Sequence, residues 1–249
     1  MINFIKGKIK GIVRLYLKKI DSSVTREFHP YYDLVETQEK KYFDELYNKS
    51  ILLTGTPPSV WRRDRFLNLF FLTQSIVDSH GDIIECGSWK GLSSLIINGA
   101  IKQKNEYYNG ENYSIVDSFE GLSEVTQNDT PLKFDSRGKF AFSLPELRKN
   151  LSEFPRVTYY KGWIPEVFNS LPENIYKFVH IDVDLSVPTL ESFKYFYPRM
   201  ADGGIIVCDD YGSVTWLGMQ NQIRIFCNEN NISPIILSTG QLVVIKNTH

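Results

Sequence analysis

Closely spaced cysteines, long apolar runs and a strong bias of charge are all lacking in this sequence. Only 3 of its 249 residues are cysteine. Cys86, Cys208 and Cys227 are odd in number and lack metal-type spacing, and the first two fall in apolar runs, as packed thiols in a reducing compartment do. No run is long and apolar enough to cross a bilayer, and no uninterrupted signal-peptide core is present, so a cytoplasmic protein is expected. A formal net charge of −1 creates no global field for nucleic acid, and none is expected as a partner. Internal repeats and low-complexity tracts are also missing. What is there is 42% hydrophobic and 14% aromatic, enough for a sizeable core and unlike a disordered chain.

The one charge asymmetry lies at the start. Residues 1–20 carry Lys6, Lys8, Lys10, Arg14, Lys18 and Lys19 with no acid, while Ile5, Ile9, Ile12, Tyr16 and Ile20 share a helical stripe. A basic amphipathic helix is expected there, weakened by Gly7 and Gly11. Its simplest use is packing on its own domain or on a second copy of the chain, and a homo-oligomer is expected. Peripheral contact with a membrane is the alternative.

Helices are expected over 31–48 and Trp61–Asp78, with a Gly55-Thr-Pro-Pro58 breaker between them. From Gly81 onward the chain alternates. Strands are expected at Asp82–Cys86, Tyr113–Asp117, Val157–Tyr160, Tyr176–Ile181, after Gly203-Gly204, and at Pro234–Leu237 and Leu242–Ile245. Helices fall at Leu92–Ile101, Leu144–Leu151, Pro188 to near Pro198, and 215–230. Such alternation implies an α/β fold with a doubly wound parallel sheet, residues 80–249, behind a helical N-terminal extension, residues 1–79. The polar stretch Gly121–Phe142 has the length of a lid or binding loop.

Asp182, Asp184, Asp209 and Asp210 sit where two of the apolar runs end. Ligands of open α/β sheets collect at the carboxyl ends of strands. Carboxylates converging there repel one another and call for a cation, so the pattern points to a divalent-metal site. If Asp184 is to work beside Asp182, the backbone must already be leaving the strand, because alternation would send its side chain to the opposite face. The loop Glu85-Cys-Gly-Ser-Trp-Lys-Gly91 joins the first strand to its helix, with Gly87 for the bend and Gly91 for close approach. Asp117 ends the second strand, where a carboxylate can accept both hydroxyls of a ribose. The three-glycine spacing of a dinucleotide fingerprint is not present, which suits a ligand with a ribose and no pyrophosphate, such as S-adenosylmethionine.

Six motifs occur in order: Glu85-Cys-Gly-Ser-Trp-Lys-Gly91, Asp117-Ser-Phe-Glu-Gly-Leu122, Lys161-Gly-Trp163, His180-Ile-Asp-Val-Asp-Leu185, Tyr197-Pro-Arg199 and Gly203-Gly-Ile-Ile-Val-Cys-Asp-Asp-Tyr-Gly212. Together they resemble the macrocin O-methyltransferase family, metal-dependent class I methyltransferases of sugar hydroxyls. The resemblance implies a seven-stranded class I methyltransferase sheet and S-adenosylmethionine as cofactor. It implies that Asp182, Asp209 and Asp210 hold Mg²⁺ (or Mn²⁺) and that Asp184 is the general base. Glu85, Gly87, Asp117 and Asp182 would line the cofactor pocket, with Ser88, Gly91, Ser118, Gly162 and Trp163 from the same motifs and Ser93 toward the cofactor carboxylate. Two departures, Ser186 in place of the family's Tyr and the poorly matching Ser213–Gln222, fall on the acceptor side.

The expected partner is therefore a small-molecule sugar or nucleotide-sugar acceptor. Abundant Lys, Asn, Ile and Tyr suit an AT-rich genome and a surface-glycan precursor rather than an antibiotic. Asp182-Val-Asp184 also reads as the DxD motif of metal-dependent glycosyltransferases, which leaves Asp209-Asp210 and the glycine loop unexplained; a third reading is a binding module that keeps the fold without turnover. His180 is expected as a packed core histidine, and Arg62, Arg63 and Arg65 as helix surface charge rather than a phosphate site. Trp163 is read either as flanking the adenine or as core.

Overall fold

The apolar runs read as strands do form strands in the computed structural model, which describes residues 37–126, 129, 137–213 and 217–247. The expected basic helix of residues 1–20, the start of the 31–48 helix, part of the 121–142 loop and residues 214–216 lie outside the described residues. Residues from Glu45 onward make one compact unit that carries the sheet and the site. Within the described chain, α1 is Gln38–Thr54 and α2 is Val60–Ser75. The Pro57-Pro58 break lets Ser59 cap α2, its side chain accepting the Arg62 N–H, and Leu67, Leu69, Phe70 and Thr73 turn inward.

Seven strands follow: β1 Asp82–Cys86, β2 Tyr113–Asp117, β3 Thr158–Lys161, β4 Tyr176–Ile181, β5 Met200–Cys208, β6 Ile235–Ile236 and β7 Leu242–Ile245. Helices α3 (Leu92–Lys104), α4 (Leu144–Asn150), α5 (Ser186–Phe196) and α6 (Leu217–Glu229) connect them, with 3₁₀ turns at Glu166–Ser170 and Tyr197–Arg199. The strand order is β3-β2-β1-β4-β5-β7-β6. The sheet is mixed rather than parallel throughout, as β7 runs antiparallel to both β5 and β6. A parallel neighbour needs a long crossover, and only the short Leu237–Gln241 turn separates β6 from β7, so a hairpin is the available connection. The expected turn at Gly203-Gly204 is also different: β5 begins earlier, at Met200, and the glycine pair forms an irregularity within it, opposite a register slip between Tyr176 and Phe178.

Side-chain alternation along the buried strands builds a core on each face. Ile84, Val179, Ile181 and Ile206 pack with Phe193 and Phe196 of α5 and Ile223 and Phe226 of α6. Ile83, Ile115, Phe178 and Val207 pack with Leu69 of α2, Leu95 and Ile97 of α3 and Leu147 of α4. Among the described residues, no helix is long and apolar enough to cross a membrane.

The register decides what the sheet presents at its carboxyl edge. Cys86, Ile181 and Cys208 are paired across β1, β4 and β5, and Cys86 also faces Val116 of β2. The next residues therefore emerge together: Gly87, Asp182, Asp209 and Asp117. Their backbones remain tied by Asp182 N–H to Cys86 O at 2.9 Å and Asp209 N–H to Ile181 O at 2.9 Å.

Candidate active site

A cleft of about 320 Å³ opens at this edge. The β1–α3 loop contributes Gly87, Ser88 and Trp89, the end of β2 Asp117 and Ser118, the end of β3 Gly162 and Trp163, and the opposite wall Trp61, Arg62, Arg65 and Phe66 of α2. Ser93, Asp182, Asp184, Asp209 and Asp210 also face it. The structure thus gathers all the expected metal and base carboxylates and most of the expected cofactor residues. Trp163 stands 40% exposed in the wall, which makes it cleft rather than core.

Glu85 and Gly91 are not among the lining residues. Glu85 is 0% exposed: strand alternation turns it into the core, where its carboxylate accepts hydrogen bonds from Ser94 Oγ and from Tyr113 OH at 2.6 Å and lies 3.0 Å from His180 Nδ1. Gly91 is the left-handed N-cap of α3, covered by Leu147, which a Cβ there would meet at 2.7 Å. Gly87 has φ +81°, and a Cβ on it would stand 2.0 Å from the Asp182 carbonyl oxygen, so only glycine lets the β1 loop pass the end of β4.

Asp117 is already engaged. Its Oδ2 accepts Ser88 N–H at 2.8 Å and Ser88 Oγ–H at 3.0 Å, and Oδ1 accepts Phe119 N–H at 2.7 Å. A carboxylate offers about four acceptor sites, so roughly one is left for a ribose hydroxyl. Gripping both hydroxyls requires the Ser88 hydroxyl to yield its place.

The acidic cluster follows from β4 and β5. Asp184 adopts the left-handed conformation, φ +59°, and its N–H donates to Asp210 Oδ2 at 3.1 Å. This is the departure from strand geometry that Asp184 needs in order to face the cleft with Asp182. Burial, reinforced by the charges of Asp210 and Asp209, pushes the Asp182 carboxyl well above the usual range. Burial and then Asp209 push Asp210 upward too. For Asp209 burial works in the same direction, but Arg65 and His180 outweigh it and hold the group low.

Two positive groups of this cluster were not expected from sequence as functional. Arg65 does not lie on the surface: it pairs with the Asp209 carboxylate and carbonyl, stands 3.5 Å from Asp210 and has its guanidinium 4.9 Å from the Trp61 ring. Its place on the inward arc of α2, between Trp61 and Leu69, was the available signal. His180 is buried as expected, yet its ring bridges Glu85 and Asp209, with Nε2 3.7 Å from Asp209 Oδ1 and no hydrogen-bond partner. Burial alone would lower its pKa; the carboxylates of Asp209 and Glu85 raise it to about 10.

These contacts also test the fit of a cation. His180, Asp182 and Asp209 offer ligand atoms within 4.8 Å of one another. Three carboxylates withdrawn from water face one guanidinium and one imidazole, a deficit of positive charge that a divalent ion makes good. Oxygen-rich anionic sites suit Mg²⁺ or Mn²⁺. Oxygens of Asp182 and Asp209 belong to that group of ligand atoms, and Asp210, which faces both of these carboxylates, adds a third acid beside it.

A seven-stranded sheet of this order, with a glycine loop and an acidic strand end around one cleft, defines a class I methyltransferase fold. Comparison with known proteins agrees. The solved structure of the O-methyltransferase NovP superposes with TM-score 0.67 over 85% of this chain and 100% of that one, at 17% identity. The profile of the macrocin O-methyltransferase family matches residues 59–244, and the chain belongs to that family. Among curated relatives, the 8-demethyl-8-(2,3-dimethoxy-alpha-L-rhamnosyl)-tetracenomycin-C 4'-O-methyltransferase of Streptomyces olivaceus is 26% identical over 53% of each chain. The mycinamicin III 3''-O-methyltransferase of Micromonospora griseorubida is 24% identical over 53% of this chain and 55% of its own. The chain spans about half the length of the curated relatives it matches.

Proposed function

We propose that this protein is an S-adenosylmethionine- and Mg²⁺-dependent O-methyltransferase acting on a sugar hydroxyl, with a nucleotide-activated sugar or surface-glycan precursor as acceptor. The observation that carries this reading is the register of β1, β4 and β5, which brings the glycine loop and the carboxylates of Asp182, Asp209 and Asp210 to one cleft. Family membership supports it, and so does the named action of both relatives as O-methyltransferases.

Gly87, Ser88 and Asp117 would seat the cofactor at the β1–β2 side, with Ser93, Ser118, Gly162 and Trp163 around it. Asp182, Asp209 and Asp210 would hold the cation. When bound, the cation lowers the pKa of a hydroxyl beside it, and the cofactor supplies an electrophilic methyl. Asp184, turned into the cleft by its left-handed backbone, accepts the hydroxyl proton. Such general-base help is worth about 3–5 kcal/mol, whereas positioning contributes about 7–11 kcal/mol, so alignment outweighs the base. On the acceptor side Trp61 and Phe66 supply apolar wall for a sugar ring, and Arg62 offers positive charge toward an anionic group of the acceptor.

The test separates the roles. Asp182→Ala is expected to abolish metal-dependent methyl transfer while S-adenosylhomocysteine affinity, measured by calorimetry, stays within about two-fold. Asp184→Asn is expected to keep metal affinity and lower kcat about 10²–10⁴-fold. Equal loss of metal affinity in both variants would refute the division. Binding of a nucleoside diphosphate in place of S-adenosylhomocysteine would favour a glycosyltransferase reading of Asp182-Val-Asp184.

A further inference from the structure

One buried acid has no part in the chemistry above. Asp129 is 4% exposed in the otherwise polar segment between β2 and α4. Its Oδ2 accepts the Thr126 N–H at 2.8 Å and the Thr126 hydroxyl at 3.0 Å, a local turn. Its Oδ1 reaches much farther, accepting the Ser186 N–H at 2.7 Å across 57 residues of sequence. Ser186 is the first residue of α5, and the N-cap residue Leu185 supplies no side-chain bond. The carboxylate of Asp129 therefore does from another segment what a capping Ser or Asp does locally: it takes up an orphan N–H and places negative charge at the positive end of the helix.

That helix end is two residues from Asp184. The chain between β4 and α5 is an awkward turn, with Asp184 at φ +59° and Leu185 N–H bonded back to Val183 O at 2.6 Å. Strained backbone of this kind persists only where its surroundings over-determine it. Upstream it is held by the Asp182 N–H bond to Cys86 O, and at its centre by the Asp184 N–H bond to Asp210. Downstream, Asp129 is the anchor at Ser186. The same segment reaches the cleft, where Gly121, Leu122 and Phe140 line the wall.

We propose that Asp129 is a positioning residue for methyl transfer, which caps α5 through Ser186 and so fixes the turn that aims Asp184 into the cleft. This rests on Asp184 being the general base. Asp129→Ala is expected to lower kcat about 10–100-fold, the scale of a small misplacement of a reacting group, with S-adenosylhomocysteine affinity within two-fold of wild type. Amide exchange at Ser186 to Thr189 is expected to accelerate in the same variant. Asp129→Asn keeps one acceptor oxygen, which can still cap Ser186 but leaves its amide nitrogen facing the Thr126 N–H, so it is expected to recover the rate in part. In an Asp184→Asn background, Asp129→Ala should add less than two-fold, because residues acting through one another are not additive. Unchanged kcat or unchanged exchange in Asp129→Ala, or an Asn variant as impaired as Ala, overturns the proposal. Full additivity in the double variant overturns the coupling alone. A fully active Asp184→Asn enzyme instead places the fault in the base assignment, and the coupling falls with it.

Discussion

Two carboxylates flank His180 in the interior and favour the charged form of its ring. Its ordinary pKa of 6.5 is raised to about 10 in the folded chain. Below about pH 6.5 the ring is protonated both folded and unfolded, and the full ion-pair contribution is present. As pH rises toward 10, the unfolded ring gives up its proton while the folded one keeps it, and stability falls by roughly 1.4 kcal/mol per pH unit. Urea unfolding of metal-free protein at pH 6.5, 7.5 and 8.5 should show this decline. His180→Gln should be less stable at pH 6.5, since it leaves Glu85 and Asp209 without their shared cation, and should lose the share of the slope that the ring carries. The raised Asp182 and Asp210 contribute a decline of the same sign. An unchanged slope in the variant would show that some other group titrates.

At the scale of elements, the close passage of the β1 loop over the end of β4 is the tightest backbone constraint of the site. Gly87 and Gly203 both have positive φ, +81° and +73°, but a Cβ at Gly203 meets nothing within 4 Å. Gly203→Ala should cost only conformational strain, about 1–2 kcal/mol. Gly87→Ala adds a collision with the Asp182 carbonyl and should cost about 2–5 kcal/mol, with a marked loss of S-adenosylhomocysteine affinity. Denaturant midpoints and calorimetric titration of the two variants measure the difference; equal costs would mean that the loop and strand end can part freely.

Across the whole molecule, the proposed cation site would tie folding to the ion. Carboxylates of β4 and β5 are brought together only when the sheet forms, so an ion that binds there binds the folded state. At a hundred-fold excess over Kd such an ion adds about 2.7 kcal/mol. For a chain of this size that is a rise in Tm of about 5–10 °C. Calorimetry in Mg²⁺ and in EDTA should show this shift in wild type and its loss in Asp182→Ala. A shift of the same size in Asp182→Ala would place the ion elsewhere.

Most of the site was legible in the amino-acid order. Asp182, Asp209 and Asp117 follow apolar runs of nearly equal length, and in a parallel sheet buried on both faces such runs end at one edge. Alternation, together with the expectation that Asp184 works beside Asp182, also called for a backbone departure at Asp184. The burial of Glu85 could have been read from strand alternation, which puts it on the face of the core residue Ile83, but its place in the glycine-loop motif pointed to the cleft instead. The β6–β7 hairpin follows from the short Leu237–Gln241 connection, too short for a parallel crossover, but the antiparallel pairing of β7 with β5 was not legible. Local pattern determined the strands, their carboxyl ends and the acids standing there, because periodicity and turn chemistry act within a few residues. Only the folded chain decided that Arg65 reaches Asp209 from α2 and that Asp129 caps α5. Those bonds join residues far apart in sequence, and they depend on packing that no short-range pattern encodes.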